Sequence, residues 1–286
     1  MGERREAVKP VAEIYLELAE QIATRLGSPR VRALHLPPVE TAAGKDAEFC
    51  ALELEDGSVG FSFMRIDDTE RRLRASNAAD RCSGATALEL ARGYAQSDPA
   101  VKALGFAAIN ALSQSLFSRA GWIPSDSGDA LGEAEPQRGE HIGMIGFFTP
   151  LVARVTAAGA RLTVLELRQD LAGEHEGFRV TLDPGELASC EKVVSTSTVM
   201  LNDTLDAVLE ACRQARYFAI IGPTAGCLPD PLFARRVDHV GGRRVVDVEG
   251  FRKAFCAGNK WGGYTAKYAI ARGQYPGVAE LLQQAR

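Results

Sequence analysis

The sequence predicts an α/β protein in two parts, an N-terminal α+β unit followed by a mostly parallel α/β sheet, and three observations carry that prediction. An amphipathic helix near the start leads into alternating apolar runs around an Asp-Gly turn. A stretch rich in Gly, Pro, Ser and acid, Gly121 to His141, then breaks the pattern. From Ile142 onward, short apolar runs alternate with helical ones, the rhythm of a parallel sheet covered by helices. The expected division is an α+β domain over 1–122, a linker or surface loop over 123–141, and a ligand-binding α/β domain over 142–286. At 286 residues the chain is long enough for a core in each.

Each element has its own warrant. After Pro10, VAEIYLELAEQIATRL places Val11, Ile14, Tyr15, Leu18, Ile22 and Leu26 on one helical face, and Gly27-Ser28-Pro29 stops it. VRALHL (31–36) reads as a strand, and FCALELEDGSVGFSFMR as two strands flanking the Asp56-Gly57 turn. Two helices follow, over 85–96 and 99–117. The second is capped by Asp98 with Pro99 in its first turn, and Gly105, Ala107, Ala108 and Ala111 allow a close neighbour. The later strands are expected at 142–147, 161–167, 192–197, 217–222 and 243–248. The C-terminal stretch EGFRKAFCAGNKWGGYTAKYAIARG is expected to return to helix around a glycine-rich loop.

Composition narrows the function classes. A formal net charge of −4 leaves no cationic footprint for nucleic acid or anionic lipid. The six cysteines form no C-x-x-C pair and suit a reducing cytosol as small buried hydrophobes. The N-terminus lacks the apolar core of a signal peptide, Glu6 stands where a myristoylation motif needs Ser or Thr, and no apolar run approaches a membrane span. A cytoplasmic protein is expected, with a small-molecule or metal-complex ligand, no nucleic-acid or membrane partner, and a homodimer compatible with the sequence.

In open α/β sheets ligands sit beyond the carboxyl ends of the strands, so the strand-to-helix loops are the candidates. The first is GMIGFFTP, with Gly143, Gly146, Phe147 and Thr149. Its glycines miss the dinucleotide spacing, and Phe147 and Phe148 stand where pyrophosphate needs bare backbone, although a helix N-terminus there still suits an anion. Glu166, 23 residues after Gly143, has the spacing of a ribose-binding acid or is a carboxylate held locally. STSTVMLNDTL is the most polar strand end: Thr196, Thr198, Asn202 and Thr204 are ligand candidates, with Asn202 or Asp203 as a helix cap. The fourth loop, IGPTAG, offers Gly222, Pro223 and Thr224 around a sharp turn. Asn110 from the first domain and Asn259-Lys260 from the late loop are candidate lids, with Trp261 or Tyr264 as stacking groups. The four histidines lie in separate segments without i,i+4 spacing. A preformed helical metal motif is therefore absent, although one of them could meet a carboxylate or cysteine in space.

GMIGFFTPLVARV, RLTVLELR, VVSTSTVMLNDTLDAVLEACRQA and IGPTAGCLPDPLF together resemble the C-terminal domain of the putative heavy-metal chelation family. Leu201, Asn202, Thr204 and Leu205 match its T-G-x-x-L-x-N-x-T-L pattern, and LGFAAINALSQ (104–114) is similar to its N-terminal domain. The resemblance implies an enolase-N-terminal-like domain joined to a Rossmann-like domain with a cleft between them, and a role in metal chelation or metal-cofactor metabolism. Ser197 and Asp203 depart from the pattern where glycine is common, adding polar groups to the implied site. The expected function is binding of a polar or anionic small molecule, metal chelator or metal complex in that cleft. Should metal bind directly, Glu166 or Asp203 would supply oxygen. The alternative is a transferase, lyase or oxidoreductase with a nucleotide-type cofactor and Lys260 or Asp203 as acid or base. A metal ion and a nucleotide are thus the two candidate cofactors.

Overall fold

The computed structural model describes residues 9–27, 29–39, 44–126 and 135–286. Helix α1 (Val11–Leu26) closes on Gly27, whose left-handed φ of 76° lets its N–H reach the Ala23 carbonyl. Strands β1 (Val31–His35), β2 (Phe49–Leu54) and β3 (Val59–Phe63) form an antiparallel sheet in the order β1-β2-β3, with the Asp56-Gly57 turn between the last two. Cys50, Leu52 and Leu54 share a core with α1, whereas Ala51, Val59 and Phe61 face the opposite side. Three short helices follow: α2 (Thr69–Ala75), α3 (Ala78–Cys82) and α4 (Ala87–Ala91). The first two were not anticipated, and α4 starts on a Thr86–Glu89 capping box.

Helix α5 (Pro99–Arg119) is the spine of the first domain. Asp98 caps it by accepting from Ala100 and Val101 N–H, as the sequence predicts. Its small residues permit backbone contact on two sides. A Cβ added at Gly60 would overlap the Ala107 carbonyl, and one at Gly105 would overlap the Tyr94 backbone N. Contrary to the expectation of no such segment, α5 is long and apolar enough to cross a membrane. Of its apolar 18-residue window 83% is nonetheless buried within the fold, so its apolarity serves the core.

The second domain opens with β4 (His141–Ile145), α6 (Thr149–Ala157) and β5 (Arg161–Leu165). It continues through a hairpin of β6 (Gly173–His175) and β7 (Phe178–Thr181), then β8 (Lys192–Thr196), α7 (Leu205–Ala211), β9 (Tyr217–Ile221), α8 (Asp230–Phe233), β10 (His239–Val245), α9 (Val248–Cys256), β11 (Thr265–Ala271) and α10 (Val278–Gln284). The eight-stranded sheet has the order β11-β10-β9-β8-β4-β5-β7-β6, parallel from β10 to β7 with antiparallel edges.

Two expectations need correction. The segment expected as a strand over 243–248 is strand only to Val245 and starts earlier, at His239, because Asp247 leaves the sheet to cap α9 through Gly250 N–H. TAKYAIA, expected as helix, is β11. Tyr268 and Ile270 point inward and Lys267 outward, a period-two pattern that its alanines obscure. Part of the predicted linker, 127–134, lies outside the described residues. Just before it, the Ser125 carbonyl accepts from Ala269 N–H, and Asp126 bridges to Tyr268 and pairs with Arg244.

The domains are tied by polar bonds as well as by a shared core. β3 is an edge of its sheet, and its outward groups find partners on α5 and across the interface. Asn110 Nδ2 donates to the carbonyls of Phe61 (2.7 Å) and Thr224 (2.8 Å), and Thr224 Oγ1 accepts from Phe63 N–H at 3.0 Å. Tyr94 and Tyr15 hydroxyls donate to the Met200 and Leu228 carbonyls. On the other face of the small sheet, α9 and Trp261 cover Phe61, with Trp261 stacked on it at 5.0 Å between ring centroids.

Candidate functional site

Numbered among themselves, the six parallel strands β4, β5, β7, β8, β9 and β10 lie in the order 3-2-1-4-5-6. That order reverses between β4 and β8, the place where doubly wound sheets hold ligands. Two glycines let the loops there close on one another. Gly146, at φ 83°, leaves β4 so near β8 that an added Cβ would stand 3.0 Å from Thr196 Cγ2. Gly222, at φ 136°, leaves β9 so near that an added Cβ would stand 2.5 Å from Ser197 Oγ. The candidate loops GMIGFFTP, STSTVMLNDTL and IGPTAG are therefore neighbours. α6 starts in this crease at Phe148 without a side-chain cap; Phe148 N–H lies on Met144 Sδ at 3.4 Å, Pro150 has no N–H, and Leu151 and Val152 N–H donate to the Phe148 carbonyl, so the start of the helix offers the Thr149 N–H to another acceptor.

Within the crease Gly146, Thr196, Thr198, Gly222 and Pro223 are half-buried and Thr149 is exposed. Thr196 Oγ1 accepts from Thr198 N–H at 3.3 Å, and the two hydroxyls are 3.2 Å apart, so they stand as a pair. Glu166 caps its own turn, its Oε1 accepting from Leu167 N–H at 2.8 Å and Arg168 N–H at 3.4 Å. Asn202 Oδ1 accepts from the Thr204 hydroxyl (2.6 Å) and backbone N–H (3.3 Å), holding the turn before α7. Phe147 packs on Phe178 with ring centroids 5.9 Å apart, sealing the top of the sheet.

Other candidates are placed elsewhere. Gly143 is buried in mid-strand, where a Cβ would press on Cys190 and Val193 at 3.1 Å, so it serves packing. Asn110 and Thr224 are fully buried at the domain interface, and neither is a lid or a ligand contact. Trp261, 2% exposed, stacks on protein rather than on a ligand. Asn259 and Lys260 are exposed, but their loop returns to the end of β10, where Val246 N–H meets the Tyr264 carbonyl, two strands away from β8.

Asp203, offered as a catalytic or metal-binding acid, instead pairs with Lys102 of α5, both carboxylate oxygens lying within 2.7 Å of Nζ. It takes a left-handed φ of 59° to do so. Sequence reasoning missed Lys102, although the signal was present: it is the lone charged side chain between Asp98 and Arg119. Its side chain is 11% exposed, which puts an ammonium beside the loop that follows β8.

The donors at the crease are hydroxyls and backbone N–H groups. No cluster of three or more His, Cys, Asp or Glu side chains among the described residues is arranged to hold a metal ion. A bare heavy metal does not fit these donors; an oxygen-rich anion does. Two surface cavities lie elsewhere, one of about 460 Å³ beside Arg72, Arg81 and Asp98, the other between α1 and Leu282.

A family model named DUF364 and described as "Putative heavy-metal chelation" matches residues 129–272, half of the chain. The protein belongs to the DUF364 family. A second model with the same description, DUF4213, matches residues 47–113, in the first domain. Among curated proteins, an uncharacterized protein of Methanocaldococcus jannaschii is 29% identical over 154 residues, which span 52% of this chain and only 56% of that relative. Two solved DUF364 structures of unknown function share the fold. One, from Desulfitobacterium hafniense, has a TM-score of 0.67 at 18% identity over 92% of this chain and 98% of that one. The other, from Pyrococcus horikoshii, has a TM-score of 0.66 at 19% identity over 91% and 98%. The two-domain α/β arrangement of this DUF364 member is thus shared with both.

Proposed function

We propose that this protein binds a small anionic molecule of the metal-chelator or metal-complex type where β4, β8 and β9 end, in cytoplasmic metal-cofactor or metallophore metabolism. The observation that carries this reading is the convergence of three strand-end loops at the reversal of strand order, two of them leaving their strands through positive-φ glycines. The start of α6 supplies the Thr149 N–H and the positive end of a helix dipole. The paired hydroxyls of Thr196 and Thr198 supply directional bonds, and the metal, carried within its complex, needs no protein ligand there. The family description is compatible with such a role.

Calorimetric titration with citrate and with iron(III) citrate tests the proposal. Each hydroxyl bond to a charged acceptor is worth about 1.5–3 kcal/mol, so Thr196→Val and Thr198→Val should each weaken binding by roughly ten-fold or more. Wild-type heat that both variants retain in full contradicts the assignment.

The strand order also suits a Rossmann-like enzyme with a nucleotide-type cofactor. Against it stand Phe147 and Phe148 in the first loop and the closeness of Gly146 to Thr196, which deny a pyrophosphate its backbone cradle. Tight binding of a nicotinamide dinucleotide or S-adenosylmethionine in the same calorimeter would favour the enzyme.

A further inference from the structure

Cys256, the last residue of α9, is exposed, whereas the other five cysteines are buried. Its Sγ lies 3.7 Å from Nδ1 of His35, the last residue of β1 and 221 positions away in sequence. The other ring nitrogen, Nε2, is 2.8 Å from Oε2 of Glu53 on β2. Glu53 is 1% exposed, and its Oε1 is held by Arg252 Nη2 at 2.6 Å and Arg32 Nε at 3.2 Å. A carboxylate held by two arginines only accepts, so Nε2 donates to it, and in the neutral ring the Nδ1 lone pair faces the thiol.

We propose that Cys256 and His35 form an open two-donor site for a thiophilic d10 dication of the zinc or cadmium type, with Glu53 holding the imidazole. A carboxylate behind the ring fixes the tautomer and strengthens the donor, the usual support of a metal-binding histidine. Zinc-type bonds of about 2.3 Å to sulfur and about 2.05 Å to nitrogen span the observed separation at an angle of roughly 116°, near tetrahedral. The remaining positions face solvent, where water or the donors of a small chelating molecule complete the shell. Arg32 and Arg252 together outweigh the single charge of Glu53. This positive rim opposes a hard, strongly hydrated dication and leaves the metal–sulfur bond as the main attraction.

Binding moves no electrons: the thiol proton leaves to solvent as the sulfur–metal bond forms. The site shares no residue with the strand-end crease, so either can fail without the other.

The full chain is titrated with cadmium chloride, reading the ultraviolet sulfur-to-cadmium charge-transfer band and the heat, for wild type, Cys256→Ser, His35→Gln and Thr196→Val. The expected result is one equivalent with the band in wild type and in Thr196→Val, no band in Cys256→Ser, and at least ten-fold weaker binding in His35→Gln. Cys256→Ser is an exposed, near-isosteric change, so its result stands even should His35→Gln fail to fold. A band that survives in Cys256→Ser, or no band in wild type, overturns the site. So does a wild-type Cys256 that iodoacetamide alkylates rapidly while cadmium does not bind, because that outcome assigns the pair to nucleophilic chemistry.

Discussion

Asn110→Ala separates a residue that joins two domains from one that closes over a ligand. The Asn110 side chain is fully buried, and its amide donates to the Phe61 carbonyl at 2.7 Å and to the Thr224 carbonyl at 2.8 Å. Removing it deletes both bonds and strands two buried acceptors, at about 1–3 kcal/mol each where no water enters. Its own Oδ1 has no partner among the described residues, so deleting that atom returns about 1 kcal/mol. The balance is a loss of about 1–5 kcal/mol, a large share of an ordinary domain's stability. Urea unfolding followed by tryptophan fluorescence measures it, because Trp261 and Trp122 are packed in the fold. Asn110→Asp should cost more, since a carboxylate would face two carbonyl oxygens. A loss below about 0.5 kcal/mol in Asn110→Ala, or weakened citrate binding at unchanged stability, would refute the joining role and restore the lid.

Three further outcomes follow from the same contacts. Gly60→Ala drives a methyl into the Ala107 carbonyl and Ala111 N of α5, and should cost about 3 kcal/mol or more in urea unfolding; a near-neutral result would mean that α5 does not sit on β3 as described. Lys102→Met releases Asp203 from an ion pair whose acid is exposed, so stability should change by no more than about 1 kcal/mol, whereas citrate affinity should fall if the ammonium contributes to the crease. Stability should also fall in acid. Burial raises the pKa of Glu53 and Glu140, but Arg252 and His35 in one case and Lys192 in the other outweigh it, so both folded-state values lie below the ordinary one. Their contribution is complete above the unfolded carboxyl pKa of about 4.3 and disappears as pH drops through the depressed values. Unfolding free energy that rises on acidification from pH 5 to pH 3 would contradict this sign.

Local signals that agree with one another were legible. The Asp56-Gly57 hairpin, the Asp98 cap with Pro99, and the small residues of α5 each predicted what the fold shows, because each is decided by neighbours in sequence or by backbone sterics. β11 reads as helix in sequence because its three alanines, Ala266, Ala269 and Ala271, suit either period, and its pairing with β10 decides the matter. The loops after β4, β8 and β9 were legible as strand-to-helix turns, and the sheet order sets them side by side. The individual polar residues were less readable. Thr224 and Asn110 look like ligand contacts in sequence, yet they satisfy the free edge of β3, a need visible only once the domains meet. The pairing of Lys102 with Asp203, and of Cys256 with His35, spans 101 and 221 positions, and no local pattern encodes either.

The central claim is that the ligand sits where β4, β8 and β9 end, and electron density from a crystal soaked in iron(III) citrate tests it most directly. The account predicts an anion against the start of α6, with Thr196 and Thr198 hydroxyls in hydrogen-bond reach and the metal bound by the citrate alone. Density bound instead in the groove beside Arg72 and Arg81, with the strand-end crease filled only by water, would contradict it.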